Sequence, residues 1–80
     1  MRKQIRKSDI YNNYVFDQTP QVEGLGNLFT KYFDEDDEFY VQITFTNHIT
    51  IERTADRNHL GDIVNEVNQY LKELQTNGGK

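Results

Sequence analysis

The chain has 80 residues and a formal net charge of −4, because thirteen acidic residues outnumber nine basic ones. A chain of this length forms one domain at most and buries only about 60% of its unfolded surface, which excludes a multidomain enzyme and argues against a large enclosed active site. Cysteine is absent, so disulfides, thiolate metal sites and cysteine nucleophiles are excluded as well.

The charge is divided unevenly along the chain. Residues 1–7 contain four bases and no acid, whereas residues 8–80 contain the other five bases and all thirteen acids, which gives +4 against −8. We therefore expect a single domain over residues 1–80, with a basic arm at 1–8 and a flexible tail at 77–80. Such an asymmetry bears on partners and solubility rather than on the fold.

No stretch of the sequence approaches the roughly 18 consecutive apolar residues of a membrane span. The first residues also lack the apolar core of a signal peptide. We therefore expect a cytoplasmic protein that makes no contact with a membrane.

The first half of the chain gives two interpretations. Residues 10–16 are rich in Tyr, Val and Phe and predict a strand. Apolar residues then recur at helical spacing after Thr19-Pro20, a good helix entry, and favour a helix over residues 22–33. Because Gly24 and Gly26 weaken such a helix, a strand over residues 27–33 is the alternative. The apolar residues at helical spacing are Val22, Leu25, Leu28, Phe29, Tyr32 and Phe33.

The middle of the chain predicts a β-hairpin. Residues 39–46 and 49–52 alternate between apolar and polar side chains, so each strand has one face of each kind. A three-residue loop at 46–48 pairs Phe45 with Ile49 and keeps the apolar faces together, whereas a two-residue loop mixes them. Such a loop often ends with a left-handed residue, a conformation that His48 tolerates, so His48 has a structural explanation.

The last part of the chain predicts a long amphipathic helix over residues 57–76. Its apolar residues recur at spacings of three and four and form one stripe. Asp56 stands in the natural N-cap position, and Asn77-Gly78-Gly79 supplies residues that end a helix. The apolar stripe consists of Leu60, Ile63, Val64, Val67, Leu71 and Leu74, and the polar stripe opposite it of Asp62, Glu66, Gln69 and Glu73.

Together these elements predict a small two-layer α+β domain. A two-stranded hairpin is marginal in water, so a third strand is expected, and residues 10–16 are the first choice. The preferred arrangement is β-α-β-β-α, a three-stranded, mainly antiparallel sheet with helices on one face. The alternative is a β-β-β-α meander with strands at 27–33, 38–46 and 49–54, followed by the long helix.

Five consecutive acids, residues 34–38, are the most conspicuous local feature. They lack the alternating ligands, central glycine and terminal Glu of a calcium loop. The simplest interpretation is a solvated connection that discourages association of strand edges. The functional interpretation is an acidic surface for a partner protein, made of Asp34, Glu35, Asp36, Asp37, Glu38, Asp62, Glu66 and Glu73.

No catalytic or metal-binding pattern is evident in the sequence. His48 and His59 lie eleven residues apart with no partner ligands at zinc-site spacing. Ser8 is the only serine and lies in no nucleophile motif, and the glycines at 24 and 26 lack the lysine of a phosphate-binding loop. We therefore expect no enzyme, no metal site and no cofactor.

The basic arm is the best argument for nucleic acid as a partner. Its four bases could follow phosphates, but a body of charge −8 repels a polyanion over a Debye length of about 8 Å. Bases that fold back onto the acidic body are the simpler interpretation. The candidate nucleic-acid-binding residues are Arg2, Lys3, Arg6 and Lys7.

The leading hypothesis is therefore a non-catalytic, acidic protein-binding module, such as a phage or mobile-element regulator or inhibitor that imitates nucleic acid and docks on a basic surface. The alternatives are a nucleic-acid-binding accessory protein and one half of a toxin-antitoxin or other regulatory pair. A homodimer is compatible with each, through the open sheet edge or through Tyr70 beside the apolar stripe of the last helix.

Overall fold

A computed structural model describes residues 2–78 of the chain and confirms the α+β class, with a three-stranded antiparallel sheet and a long C-terminal helix. Both helices pack on one face of the sheet: Tyr11 and Tyr70 each contact a phenylalanine of the central strand, at 5.4 and 4.4 Å between ring centroids. The elements are α1 (Lys7–Phe16), β1 (Leu25–Phe33), β2 (Glu38–Phe45), β3 (Thr50–Asp56), one 3-10 turn (Arg57–His59) and α2 (Leu60–Gly78).

The first half of the preferred arrangement is wrong in its elements. Residues 10–16 belong to α1 rather than to a strand, and residues 25–33 form β1 rather than a helix. The strands of the alternative meander are the correct ones. Tertiary packing overrides the strand propensity of 10–16, because a helix is what buries Ile10 completely and sets Tyr11 edge-on against Phe39.

The two glycines that counted against a helix have a function in the sheet. A side chain at Gly26 would place its Cβ 3.0 Å from the backbone oxygen of Thr44, so only glycine lets β1 approach β2 this closely. The pairing of β1 with β2 shifts register between Leu25 and Asn27, around this residue. Gly24 adopts a left-handed φ of 91°, in the turn that leads into β1.

The hairpin of β2 and β3 confirms the predicted register. Ile43 pairs with Ile51, and the backbone N–H of Phe45 donates to the oxygen of Ile49 at 2.9 Å. His48 adopts the expected left-handed conformation, with φ of 72°. The alternating faces of β2 then decide what is buried: Phe39, Val41, Ile43 and Phe45 face the helices.

The N-terminal segment is not a free arm. Ile5 is 2% exposed, and the Asn68 side chain both accepts from its N–H at 2.8 Å and donates to its oxygen at 3.0 Å. Gln75 donates to the oxygen of Lys3, and Arg2 forms a parallel bridge with Val22. Arg2 also pairs with Asp9 at 2.7 Å, which is the predicted folding back of a base onto the body.

The predicted C-terminal helix is present, with its boundaries shifted. Asp56 accepts from the N–H groups of Asn58 and His59, as a cap does, but a 3-10 turn precedes the α-helix. The helix continues to Gly78, two residues beyond the predicted end. Of the predicted tail at 77–80, Gly79 and Lys80 lie outside the described residues.

Candidate functional site

The predicted acidic run forms the tight turn between β1 and β2. Asp34, Glu35 and Asp36 are exposed on this turn, and Asp37 adopts a left-handed φ of 51°. Asp37 is held there by the Tyr32 hydroxyl, which donates to its carboxylate at 2.6 Å, and by the Arg57 guanidinium at 3.4 Å. The hydrogen bond to Asp37 raises the pKa of Tyr32. This end of the sheet is therefore ordered as well as charged.

The pairing of β2 with β3 brings a second carboxylate to the same place. Glu38 is the direct antiparallel partner of Asp56, and like charges directly opposite one another destabilise a sheet. Asp56 is stabilised locally because its carboxylate lies 2.6 Å from His59 Nδ1 and accepts two backbone N–H groups. The bond from His59 lowers the pKa of Asp56, and the bond to Asp56 raises the pKa of His59.

The start of α2 extends this charged region. A cleft of about 380 Å³ runs between β3 and α2, and Asp62 lines it together with Asp56 and His59. Glu66 lines the cleft one turn further along, where the guanidinium of Arg53 binds its two carboxylate oxygens from β3. Glu66 therefore links α2 to β3, and the charge of Arg53 compensates its own.

The structure thus gathers six of the eight predicted acids and leaves two out: Glu66, which is paired with Arg53, and Glu73. Glu73 lies eleven residues beyond Asp62 on α2, about 16 Å further along the helix axis at 1.5 Å per residue. Asp56, which the predicted surface did not include, belongs to the group. We define the acidic end as Asp34, Glu35, Asp36, Asp37, Glu38, Asp56 and Asp62.

Exposed aromatic residues adjoin the acidic end. Tyr14 of α1 packs against Tyr32 with 5.2 Å between ring centroids, and Tyr32 is bonded to Asp37. Phe33 directly precedes the acidic turn and is 42% exposed. The last residues of α1, Val15 and Phe16, are 61% and 64% exposed. Sequence reasoning missed the Tyr14 contact because it assigned residues 10–16 to a strand.

Within residues 2–78, no three His, Cys, Asp or Glu side chains are placed to hold a metal ion. His48 lies in the hairpin loop and His59 contacts the cap of α2, so each histidine has a structural position. None of the helices in the described part of the chain is long and apolar enough to cross a membrane.

Comparison with known proteins finds no match to a family model, to a curated protein or to a solved structure. Function is therefore inferred here from the geometry and charge of the acidic end and of the surfaces around it.

Proposed function

We propose that the chain is a non-catalytic protein-binding module that docks its acidic end on a basic surface of a partner protein. The observation that carries the proposal is the gathering of seven carboxylates at one end of the molecule, with Arg57 and His59 as the bases in contact with them. Charge of one sign concentrated in this way attracts an oppositely charged partner and raises the rate of association.

The aromatic residues beside the acidic end support a protein as the partner. Arginine side chains pair with carboxylates through two parallel hydrogen bonds and also stack on aromatic rings. Phe33 beside Asp34, and Tyr32 beside Asp37, each place a ring and a carboxylate close together. Cations of the chain itself already use these rings, because Lys31 lies over Phe33 and Arg57 over Tyr32. A basic groove that normally holds nucleic acid is a natural match for this combination, and blocking it would make the chain a regulator or inhibitor.

The cost to the fold points in the same direction. Glu38 opposite Asp56 and four successive acids in one turn repel one another in the free protein. A basic partner that approaches this end would relieve the repulsion among the acids of the turn, whereas Asp37 and Asp56 already have partners in the free protein.

The proposal is tested with a fluorescent, arginine-rich peptide of twelve residues as the probe. Three exposed acids of the turn are neutralised together, in the variant Asp34→Asn, Glu35→Gln and Asp36→Asn. We expect this variant to bind the peptide at least ten times more weakly than the wild type in fluorescence anisotropy at 50 mM NaCl, and to show a shallower dependence of affinity on salt.

The matched control removes three charges elsewhere, in the variant Glu23→Gln, Glu52→Gln and Glu73→Gln. It has the same net charge as the turn variant, and its affinity should stay within about twofold of the wild type. Equal weakening in both variants would show that the peptide responds only to net charge, and the proposed surface would then be wrong.

A further inference from the structure

The two flanks of α2 differ in their chemistry. Residues of the long helix that face β3 include the acids Asp62 and Glu66, which line the cleft beside that strand. The flank that faces the N-terminal segment contains amides and a lysine instead, at helical spacing. This amide flank consists of Asn65, Asn68, Gln69, Lys72 and Gln75.

The N-terminal segment runs antiparallel to α2 and completes a groove with this flank. Lys3 contacts Gln75 near one end of the helix, Ile5 is clamped by Asn68, and the side chain of Lys7 lies beside Gly61 near the other end. The groove has a volume of about 530 Å³ and is open to solvent. Its walls are fixed, because the side-chain amides of Asn68 and Gln75 donate to the backbone oxygens of Ile5 and Lys3 in the segment.

The charge of the groove is opposite to that of the molecule. Lys3 and Lys72 line it, and none of the described residues that line it is a carboxylate. Arg6 and Lys7, the first residue of α1, are also exposed, and the Lys7 side chain lies beside Gly61 at the start of α2. We call Lys3, Arg6 and Lys7 the basic ridge. In a chain with thirteen acids, a groove whose described lining residues are lysines and amides favours an anion.

We infer that this groove binds the phosphodiester backbone of a nucleic acid without reading its sequence. Lysine and side-chain amides are donors that commonly contact phosphate oxygens. Asn68 and Gln75 already donate to backbone oxygens, so the groove residues that offer donors to a ligand are Lys3, Gln4, Asn65, Gln69 and Lys72. The ridge from Gln75 to Gly61 extends over about 21 Å of helix, which is too long for one phosphate and matches a run of several. No aromatic ring is among the described lining residues, so the groove has no side chain on which a nucleobase could stack.

The net charge of the chain does not prevent this binding. Lys72 lies ten residues from Asp62, about 15 Å along α2, and the Debye length at physiological salt is about 8 Å. The repulsion expected from the acidic end is therefore largely screened at Lys72. Glu73, the exposed neighbour of Lys72 on α2, lies within one Debye length and weakens the attraction without cancelling the two lysines of the groove. The inferred site uses Lys3, Arg6 and Lys7 as parts of a rigid ridge rather than of a free arm, whereas Arg2 is paired with Asp9 on the other side of the segment.

The test measures anisotropy of a labelled 16-base-pair duplex and of a labelled 12-nucleotide single strand between 50 and 200 mM NaCl. We expect micromolar to sub-millimolar binding of at least one probe, with equal affinity for two unrelated sequences. The variant Lys3→Gln with Lys72→Gln should bind at least ten times more weakly, and the salt slope should fall by about 2. The stronger of the two probes identifies duplex or single strand as the source of the phosphates.

The control is Lys31→Gln, which removes a charge from β1, where Lys31 lies over the Phe33 ring outside the groove. It is compared with Lys72→Gln, which has the same net charge. Equal weakening by the two single variants, or no binding of either probe at 50 mM NaCl, would overturn the inference. Displacement by inorganic phosphate at constant ionic strength would also overturn it, because the groove would then be a site for a single anion.

The acidic-turn variant, with Asp34→Asn, Glu35→Gln and Asp36→Asn, should bind nucleic acid at least as well as the wild type. This inference therefore fails or holds separately from the proposed function.

Discussion

One carboxylate, that of Asp56, links the sheet to the long helix. It ends β3, accepts the first free N–H groups before α2 and bonds to the ring of His59. Its role was predictable from the sequence, because an Asp just before a helical pattern is a strong N-cap signal. The contact with the His59 ring was not predictable, since the sequence does not determine which way a histidine side chain points three residues after a helix cap.

The contact between Asp56 and His59 makes local stability depend on pH. The raised pKa of His59 means that its contribution is complete below pH 6.5 and is lost as the pH rises through the folded value. The lowered pKa of Asp56 means that its contribution is present above pH 3.8 and is lost as the pH falls through the folded value. We therefore expect the contact to stabilise the fold most between about pH 4 and 6.5.

Titration of the His59 ring by NMR checks this expectation. The wild-type ring should titrate above 6.5, and the variant Asp56→Asn should return it toward that ordinary value. The variant Asp34→Asn, which changes an exposed acid on the turn, is the control and should leave the titration of His59 unaltered. A wild-type ring that titrates at or below 6.5 would contradict the expected contact.

Among the elements, α1 is the one that sequence reasoning could not place. Its residues favour a strand locally, and its apolar side chains do not lie on one side: Ile10 is buried, whereas Val15 and Phe16 are exposed. The spacing of apolar residues predicts β2 and α2 correctly because one face of each element is buried and the other is exposed to solvent. It fails for α1 because the helix is defined by its caps and by contacts made from elsewhere in the chain.

The packing of α1 on the sheet includes a polar defect. Asn13 is 3% exposed, and neither atom of its side-chain amide has a hydrogen-bond partner within the described part of the chain. The buried hydroxyl of Thr30 in β1 also has no hydrogen-bond partner among the described residues. A buried amide without partners costs about 1 to 3 kcal/mol in protein mutational studies. The docking of α1 is therefore weaker than its buried apolar area suggests.

The variant Asn13→Leu should stabilise the protein by about 1 to 2 kcal/mol, because it removes the unpartnered amide and keeps a side chain of similar size. Urea unfolding followed by circular dichroism measures the change. Asn12→Leu is the matched control, since Asn12 is the exposed neighbour in the same helix. It tests helix propensity alone and should change stability by about 0.5 kcal/mol or less. A destabilised Asn13→Leu variant would mean that the amide is satisfied in solution.

For the whole molecule, the net charge of −4 hides two opposite surfaces. The sequence division of +4 and −8 predicted such a separation, with the positive charge on an N-terminal arm, but not that this arm packs along α2. The amide flank of α2 was present in the sequence at helical spacing, from Asn65 to Gln75. It went unnoticed because neutral amides have no charge signal, and because the antiparallel course of the N-terminal segment could not be read from the sequence.

Repulsion within the acidic end should make the fold more stable as salt is added. Raising NaCl from 0.01 to 0.3 M should increase the free energy of unfolding by about 1 kcal/mol, since the carboxylates of the acidic end outnumber the bases beside them. Urea unfolding at each salt concentration measures the effect, and the acidic-turn variant should show a smaller increase. A decrease with salt would instead mean that ion pairs such as Arg53 with Glu66 dominate.

The clamp between Ile5 and Asn68 also has a consequence for the order of events during synthesis. Ile5 is fixed by a residue 63 positions later, so this segment cannot be secured during synthesis until Asn68, near the middle of α2, has emerged from the ribosome. Ile5 stays uncovered for that interval, and sheet strands form without their final cover. We therefore expect the groove to be completed late, and a nascent chain that stops before residue 68 lacks the Asn68 side chain that holds Ile5 in place.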